Sequence, residues 1–147
     1  MPMNTAIRMM KPEDKPQVLA MMGDFYRSDA VWTNGSPEIF EADIDQCIQN
    51  SPYLEGYILE NDQGIQGYAM IAKSFSTEFG KPCIWIEDLY ILEPHRDQGI
   101  GQDFFRFITE KYAGCLFRLE VEEENHRAIH VYEKCGFTML PYLEMKK

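Results

Sequence analysis

The residues best suited to chemistry lie in the stretch EPHRDQGIGQDFF, which spans residues 93–105. Arg96 is followed by Gly99 and Gly101, and a helical pattern of apolar residues begins at the same point. The first turn of a helix leaves several backbone N–H groups unpaired and carries a partial positive charge. Glycines at that turn let a bulky anion approach the backbone closely. The stretch therefore predicts a phosphate or pyrophosphate site that needs few basic side chains.

Two common nucleotide-binding patterns do not describe this stretch. GxGxxG is not met, because Gln102, Asp103 and Phe104 follow Gly101, and the Walker pattern GxxxxGK[ST] is also absent. Taken alone, Gly-x-Gly is equally typical of an ordinary turn between a strand and a helix. The neighbouring elements therefore have to distinguish an anion site from a turn.

Apolar periodicity divides the chain into short strands and amphipathic helices. Ser36 before Pro37 is typical of a helix start, Pro94 ends a long strand, and Gly136 can cap the last helix. Strands are predicted at residues 5–10, 53–60, 65–75, 83–92, 115–121 and 137–145, and helices at 12–27, 37–50, 99–112 and 125–135.

The order of these elements predicts the fold class. The turn NDQG joins two neighbouring strands and favours an antiparallel hairpin, whereas the strand–helix–strand unit from Ile84 to Val121 favours a parallel pair. We expect one α/β (α+β) domain over residues 1–147, with a mixed, mostly antiparallel central sheet and helices on both faces.

Composition narrows the class of protein. At 147 residues, with 45% hydrophobic and 26% charged residues, the chain has the composition of a soluble globular domain. The N-terminus lacks a signal-peptide pattern, and no apolar run reaches the roughly 18 residues that a membrane span needs, so a cytoplasmic location is expected. Four scattered cysteines, without metal-ligand spacing, are expected to be small buried residues, and no metal is expected.

The charge balance narrows the choice of partners. With 24 acidic and 14 basic side chains, the net charge is -10, which disfavours nucleic acid and anionic membranes. Such a surface attracts cations, including amines, although solubility alone also explains it.

Two motifs together indicate a family. LYILEPHRDQGIGQDFF resembles motif A of the GNAT superfamily of acyl-CoA N-acyltransferases, in which R/Q-x-x-G-x-G/A holds the coenzyme A pyrophosphate. NHRAIHVYEKCGF, residues 125–137, resembles motif B of the same superfamily. The resemblance covers residues 5–145, is strongest from Trp85 onward, and implies acetyl transfer from acetyl-CoA to a primary amine. The matching motif B positions are Asn125, Ala128, Tyr132, Lys134, Gly136 and Phe137.

The resemblance implies a set of residues that bind acetyl-CoA as a cosubstrate. Backbone groups of the strand pair with the pantetheine arm, and an N–H near Leu89 polarises the thioester carbonyl. Asp97 stands where the family usually has glycine, so its side chain is expected to face solvent. Asn125 could instead be only a helix cap and Lys134 only a solvated side chain. The full set is Leu89, Tyr90, Ile91, Arg96, Asp97, Gln98, Gly99, Ile100, Gly101, Asn125, Ala128, Tyr132 and Lys134.

Two residues are expected to carry the proton transfers. Tyr132 matches the family's proton donor, although it could also be a core aromatic. Glu87, in WIEDLYI, is the candidate base, because a carboxylate pair in so apolar a strand is atypical of a core. Strand alternation sends Glu87 and Asp88 to opposite faces, so only one of them can face a given cleft. Asp88, or a structural ion pair, remains an alternative.

The acceptor is expected to lie near the first two helices. Phe25, Tyr26, Asp29 and Trp32 are candidates together with Glu87, for a polyamine-, amino-acid- or aminoglycoside-like amine or a peptide. The alternatives are a protein N-terminal or lysine acetyltransferase, a non-catalytic acyl-CoA-binding module and, least favoured, a structural interaction protein. A homodimer is suggested by analogy alone.

Overall fold

A five-stranded sheet, in the order β1-β2-β3-β4-β5, forms the centre of the computed structural model, which describes residues 5–147. Residues 1–4 of the expected domain lie outside the described residues. Pairing is antiparallel from β1 to β4 and parallel between β4 and β5, which confirms the mixed sheet. The strands are β1 Ala6–Met9, β2 Leu54–Asn61, β3 Gly64–Ser76, β4 Lys81–Ile91 and β5 Leu116–Leu119, and the helices are α1 Lys15–Tyr26, α2 Pro37–Ile48, α3 Ile100–Lys111 and α4 His126–Lys134.

Local sequence signals explain where the helices begin. Regular helix starts at Lys15 and not at the predicted residue 12, because a short 3₁₀ turn, Pro12–Asp14, precedes it and Pro16 is tolerated only in the first turn of a helix. Ser36 caps α2 by accepting a hydrogen bond from the backbone N–H of Ile39, at 3.3 Å. No helix in residues 5–147 is long and apolar enough to cross a membrane.

Two apolar cores lie on opposite faces of the sheet, which confirms helices on both faces. Alternation along β2 sends Ile58 towards α1 and α2, whereas Tyr57 and Leu59 point towards α3. Of the cysteines, Cys47 and Cys83 are buried as expected, but Cys115 and Cys135 are only half-buried.

Strand β4 is irregular at Glu87, and this irregularity opens the sheet. Met70 of β3 pairs with Asp88 but the next residue, Ile71, pairs with Ile86, so Glu87 is an extra, bulged residue. A β-bulge bends its strand and redirects side chains. Pairing between β4 and β5 also stops at Ile86–Leu119, so β4 continues past the bulge without β5 beside it.

The predicted strand at 137–145 is wrong. Residues 137–147 form neither strand nor helix, and Leu143 is 96% exposed. Pro141 cannot donate a ladder hydrogen bond in the middle of this run, and Gly136, with a φ of +96°, turns the chain at the end of α4. The Tyr142 hydroxyl donates to Glu78, so the C-terminal segment contacts the turn between β3 and β4.

The close approach of β3 to β4 past the bulge predicts a sharp effect at Gly67. A Cβ there would lie 2.2 Å from the backbone oxygen of Tyr90, so Gly67→Ala is expected to lower the free energy of unfolding by about 2 kcal/mol or more. Gly23→Ala in α1 is the control, since its Cβ would meet only the flexible Arg27 guanidinium at 3.5 Å. It should stabilise by about 0.5–1 kcal/mol. Urea unfolding of both variants tests this, and equal stability of the two would contradict the packing.

Candidate functional site

A cleft of about 1270 Å³ opens where β4 and β5 diverge. Its walls come from the second half of β4, the start of α3, the inner side of α4 and the loop that follows α1. Small-molecule pockets usually measure roughly 300–1,000 Å³. This cleft therefore has room for a long ligand that meets a second, smaller one.

Almost all of the predicted site residues line this one cleft. The exception is Gln98, whose side chain turns back and donates to the backbone oxygen of Pro94 at 3.4 Å. The predicted residues that line it are Phe25, Tyr26, Asp29, Trp32, Glu87, Leu89, Tyr90, Ile91, Arg96, Asp97, Gly99, Ile100, Gly101, Asn125, Ala128, Tyr132 and Lys134.

The start of α3 forms an open cradle at one end of the cleft. Gly99 is the N-cap with a φ of +78°, a left-handed conformation that favours glycine. A Cβ at Gly99 would meet nothing within 4 Å, and one at Gly101 would meet only Leu89, at 3.8 Å. The first-turn N–H groups of α3 have no intrahelical partners, so this end is suited to a phosphate or pyrophosphate group.

Arg96 is held at the same end of the cleft by β4 itself. Its Nε donates to the backbone oxygen of Ile91 at 2.8 Å, and its guanidinium lies 5.5 Å from the centre of the Tyr90 ring. The hydrogen bond from Arg96 also occupies the backbone oxygen of Ile91 at the end of β4. A fixed cation therefore stands next to the α3 cradle.

Asp97 combines a strained backbone with an ion pair. Its φ is +64°, which explains why glycine is usual at this position of the motif. The carboxylate is 74% exposed, as expected, and pairs with Arg127 at the start of α4. Asp97 thus neutralises Arg127, a cation that lines the cleft beside the α3 cradle.

A helix-ending motif fixes Tyr132. The N–H of Gly136 donates to Glu133 O and the N–H of Phe137 donates to Tyr132 O, both at 3.0 Å, which is a Schellman motif with glycine in the left-handed position. The Phe137 and Phe105 rings pack on Tyr132, with centroids 6.2 and 5.7 Å away. A tyrosine hydroxyl already carries its proton at neutral pH, and burial raises the pKa of Tyr132 further, so a proton is present there for donation.

The bulge separates the two carboxylates of β4. Glu87 lies on the cleft, where partial desolvation and then the charges of Asp88, Asp43 and Glu144 raise its pKa. Asp88 points the other way and is only 4% exposed. It accepts hydrogen bonds from the hydroxyls of Tyr26 and Tyr68 and does not line the cleft.

Sequence reasoning missed two acidic residues near Glu87. Glu144 lines the cleft from the C-terminal segment, which was expected to be a strand. Asp43 lies on α2, where desolvation and the charge of Asp88 raise its pKa to about 6. Neither belongs to a motif, and only the tertiary fold brings them close to the bulge.

The charges in the cleft have a direction. Cationic Arg96, Arg127 and Lys134 lie before α3 and on α4, whereas Glu87 is the bulged residue and Glu144 lies close enough to add to the desolvation that raises the pKa of Glu87. Asp29 adds a further acidic side chain to the cleft wall. Glu120, Glu122 and Glu123 add negative charge along the segment after β5. The arrangement suits a ligand that is anionic at one end and a second ligand that is cationic. Among residues 5–147, no group of three or more His, Cys, Asp or Glu side chains could hold a metal ion.

Sequence comparisons agree with this geometry. A model of the acetyltransferase (GNAT) family matches residues 19–137. Over 75 residues the chain is 32% identical to the thialysine N-epsilon-acetyltransferase of Mus musculus and 35% identical to that of Bos taurus. Each match covers 49% of this chain and 44% of the relative. The chain therefore spans under half the length of the curated relatives it matches.

Solved structures share the fold over nearly the whole chain. A possible acetyltransferase from Clostridium difficile 630 superposes with a TM-score of 0.84 at 16% identity, covering 97% of this chain and 96% of that one. AAC(6')-Iy, in complex with the bisubstrate analog CoA-S-monomethyl-acetylneamine, gives 0.80 at 16% identity, with 98% and 97% covered. At these identities the likeness shows the fold alone.

The Asp97 carboxylate predicts a measurable effect on anion binding. Asp97→Asn removes a negative charge from the cradle and releases Arg127, so coenzyme A is expected to bind about two- to fivefold more tightly, the range of exposed charge effects. Asp62→Asn, in the exposed turn between β2 and β3, makes the same charge change away from the cleft and should leave the Kd unchanged. Isothermal titration calorimetry at fixed ionic strength measures both. Weaker binding by Asp97→Asn would show instead that its pair with Arg127 supports the ligand.

Proposed function

The chain belongs to the acetyltransferase (GNAT) family, and we propose that it transfers an acetyl group from acetyl-CoA to a primary amine. The observation that carries the proposal is the shared cleft. It combines an anion-binding helix start, an exposed carboxylate at a strand bulge and a tyrosine that keeps its proton at neutral pH. We take residues 1–147 as one acetyltransferase domain.

The residues at the α3 end fit coenzyme A. Gly99, Ile100 and Gly101 offer a cradle with space for a pyrophosphate, and Arg96 adds a positive charge there. Leu89, Tyr90 and Ile91 belong to the stretch of β4 that β5 does not pair, so this edge can accept an extended arm as an added strand. The backbone groups of Leu89 and the N–H of Ile91 are available for it, since the oxygen of Tyr90 faces Gly67 of β3 and that of Ile91 accepts from Arg96. The thioester, when bound, supplies the activated acyl carbon.

The proton transfers are assigned to Glu87 and Tyr132. An alkyl amine has a pKa near 10.4 and must lose a proton before its nitrogen attacks. A carboxylate oxygen of Glu87 accepts that proton, directly or through water, before the neutral amine forms the new N–C bond, and the nitrogen then releases its second surplus proton to solvent. As the C–S bond breaks, the Tyr132 hydroxyl donates its proton to the sulfur, and a backbone N–H near Leu89 stabilises the charge on the carbonyl oxygen.

The aromatic and acidic side chains that line the cleft support one class of acceptor, a cationic amine. Phe25, Tyr26 and Trp32 offer aromatic surface, and Trp32 is 79% exposed at the rim. Glu144 places negative charge near Glu87, and Asp29 adds another acidic side chain to the cleft wall. A small amine with a second cationic group fits both features. The thialysine and aminoglycoside acetyltransferases to which the chain is similar support an amine acceptor.

Loss of either proton-transfer group should lower kcat. Tyr132→Phe and Glu87→Gln are each expected to reduce kcat about 10²-fold or more, since general acid–base catalysis contributes roughly 10²–10⁴-fold. The Kd for coenzyme A should change little in either variant. Tyr53→Phe removes a hydroxyl from an exposed tyrosine outside the cleft and serves as the control. Full activity in Tyr132→Phe would exclude its role as the acid.

The raised pKa of Glu87 predicts the acid limb of the pH profile. Glu87 must be ionised to accept a proton, so kcat/KM falls as the pH drops through its pKa. Because that pKa is raised, the fall should begin above the ordinary glutamate value of about 4.3. The limb should disappear in Glu87→Gln but persist in Glu110→Gln, which alters an exposed glutamate of α3. A limb that survives in Glu87→Gln would point to another base.

Release of free coenzyme A, followed with a thiol reagent, tests the proposed function. Acetyl-CoA would be offered with polyamines, amino acids, aminoglycosides and short peptides. Turnover on one class identifies the acceptor and supports the proposal. Coenzyme A binding without turnover on any amine would favour the non-catalytic module. Failure to bind coenzyme A would contradict the assignment of the α3 cradle.

A further inference from the structure

Asp88 is a buried carboxylate whose environment is unusual. Its side chain is 4% exposed, and its two oxygens accept from the Tyr26 hydroxyl at 3.0 Å and the Tyr68 hydroxyl at 2.8 Å. No cation of the described residues pairs with it. Burying a carboxylate without a counter-charge is costly, and apolar groups of the same shape usually give a more stable core. Stability alone therefore does not explain Asp88.

Both tyrosines that hold Asp88 pack on Phe25, with ring centroids 5.3 Å away for Tyr26 and 6.4 Å for Tyr68, but only Tyr26 lines the cleft. Tyr68 is fully buried in the core between the sheet and helices α1 and α2. Tyr26 is the last residue of α1 and lines the cleft. Its ring packs on Phe25 and Phe40, with centroids 5.3 and 5.1 Å away. Asp88 therefore joins a core residue to the aromatic wall of the cleft.

The backbone links this network to the bulge. Asp88 directly follows Glu87, the bulged residue that faces the cleft. The Tyr26–Asp88 hydrogen bond ties the C-terminal end of α1, where the loop with Asp29 and Trp32 begins, to β4 at that point.

We propose that Asp88 is a positioning residue of the acceptor site, which holds Tyr26 and the aromatic wall at a fixed distance from Glu87. The inference rests on the proposed function. Asp88 touches neither substrate, and its carboxylate is needed because two hydroxyls donate to it at once. An asparagine offers one oxygen and one NH₂ group, so it can accept from only one of the two tyrosines without reversing the other hydroxyl.

Three variants of nearly unchanged size separate positioning from stability. Asp88→Asn replaces the charged acceptor with a neutral one and Tyr26→Phe removes the donor. Each change weakens the tie and is expected to raise the KM of the amine roughly tenfold, the loss typical of a hydrogen bond to a charged group. The KM of acetyl-CoA should stay within about twofold, since the α3 cradle is unaffected. Tyr68→Phe removes the other hydrogen bond to the same carboxylate, away from the cleft. It should lower the melting temperature and leave the amine KM within about twofold.

Steady-state kinetics on the best amine of the panel, together with thermal melting, distinguish a positioning role of Asp88 from a purely stabilising one. A rise in amine KM confined to Asp88→Asn and Tyr26→Phe supports positioning. An equal rise in all three variants, or in none, overturns it while leaving the proposed function intact. Absence of turnover by the wild-type protein on every amine would overturn the proposed function and this inference together.

Discussion

The bulge at Glu87 is the constraint on which the rest of the site depends. In a regular parallel pair, β5 would follow β4 to its end and occupy every backbone group along that edge. Here pairing stops at Ile86–Leu119, and the extra residue bends β4 away. The same irregularity opens the cleft, leaves one edge of β4 without a strand partner and changes which side chains face α3. Gly67 allows β3 to follow this path, because any side chain there would strike Tyr90.

An acidic chain can bind a polyphosphate because backbone groups carry most of the attraction. The α3 cradle offers N–H groups and a helix dipole, so a net charge of -10 does not prevent anion binding. Around the bulge, by contrast, acidic side chains gather, and desolvation and then the charges of Asp88, Asp43 and Glu144 raise the pKa of Glu87 there. Behind the bulge, Asp88 is a buried carboxylate for which two tyrosine hydroxyls are the side-chain hydrogen-bond donors found among residues 5–147.

Local signals in the sequence were sufficient for much of the fold and half of the site. The α3 start, the α4 cap and Gly136 depend on neighbouring residues, and the structure has each of them close to its predicted place. The bulge could not be predicted, because it arises from pairing between distant strands. For the same reason Asp43 and Glu144 were missed, since only tertiary packing brings them near Glu87. The predicted strand at 137–145 does not form, because Pro141 interrupts this apolar run and cannot donate a ladder hydrogen bond.

An amide NMR titration tests directly whether the opening between β4 and β5 receives coenzyme A. Coenzyme A added to isotopically labelled protein should shift the amides of residues 87–91 and 97–101 most strongly, followed by those at the start of α4. The amides of β1 and of the turn between β2 and β3 should stay in place. Saturable binding with shifts confined to those distant amides, or no shift at millimolar coenzyme A, would contradict the account.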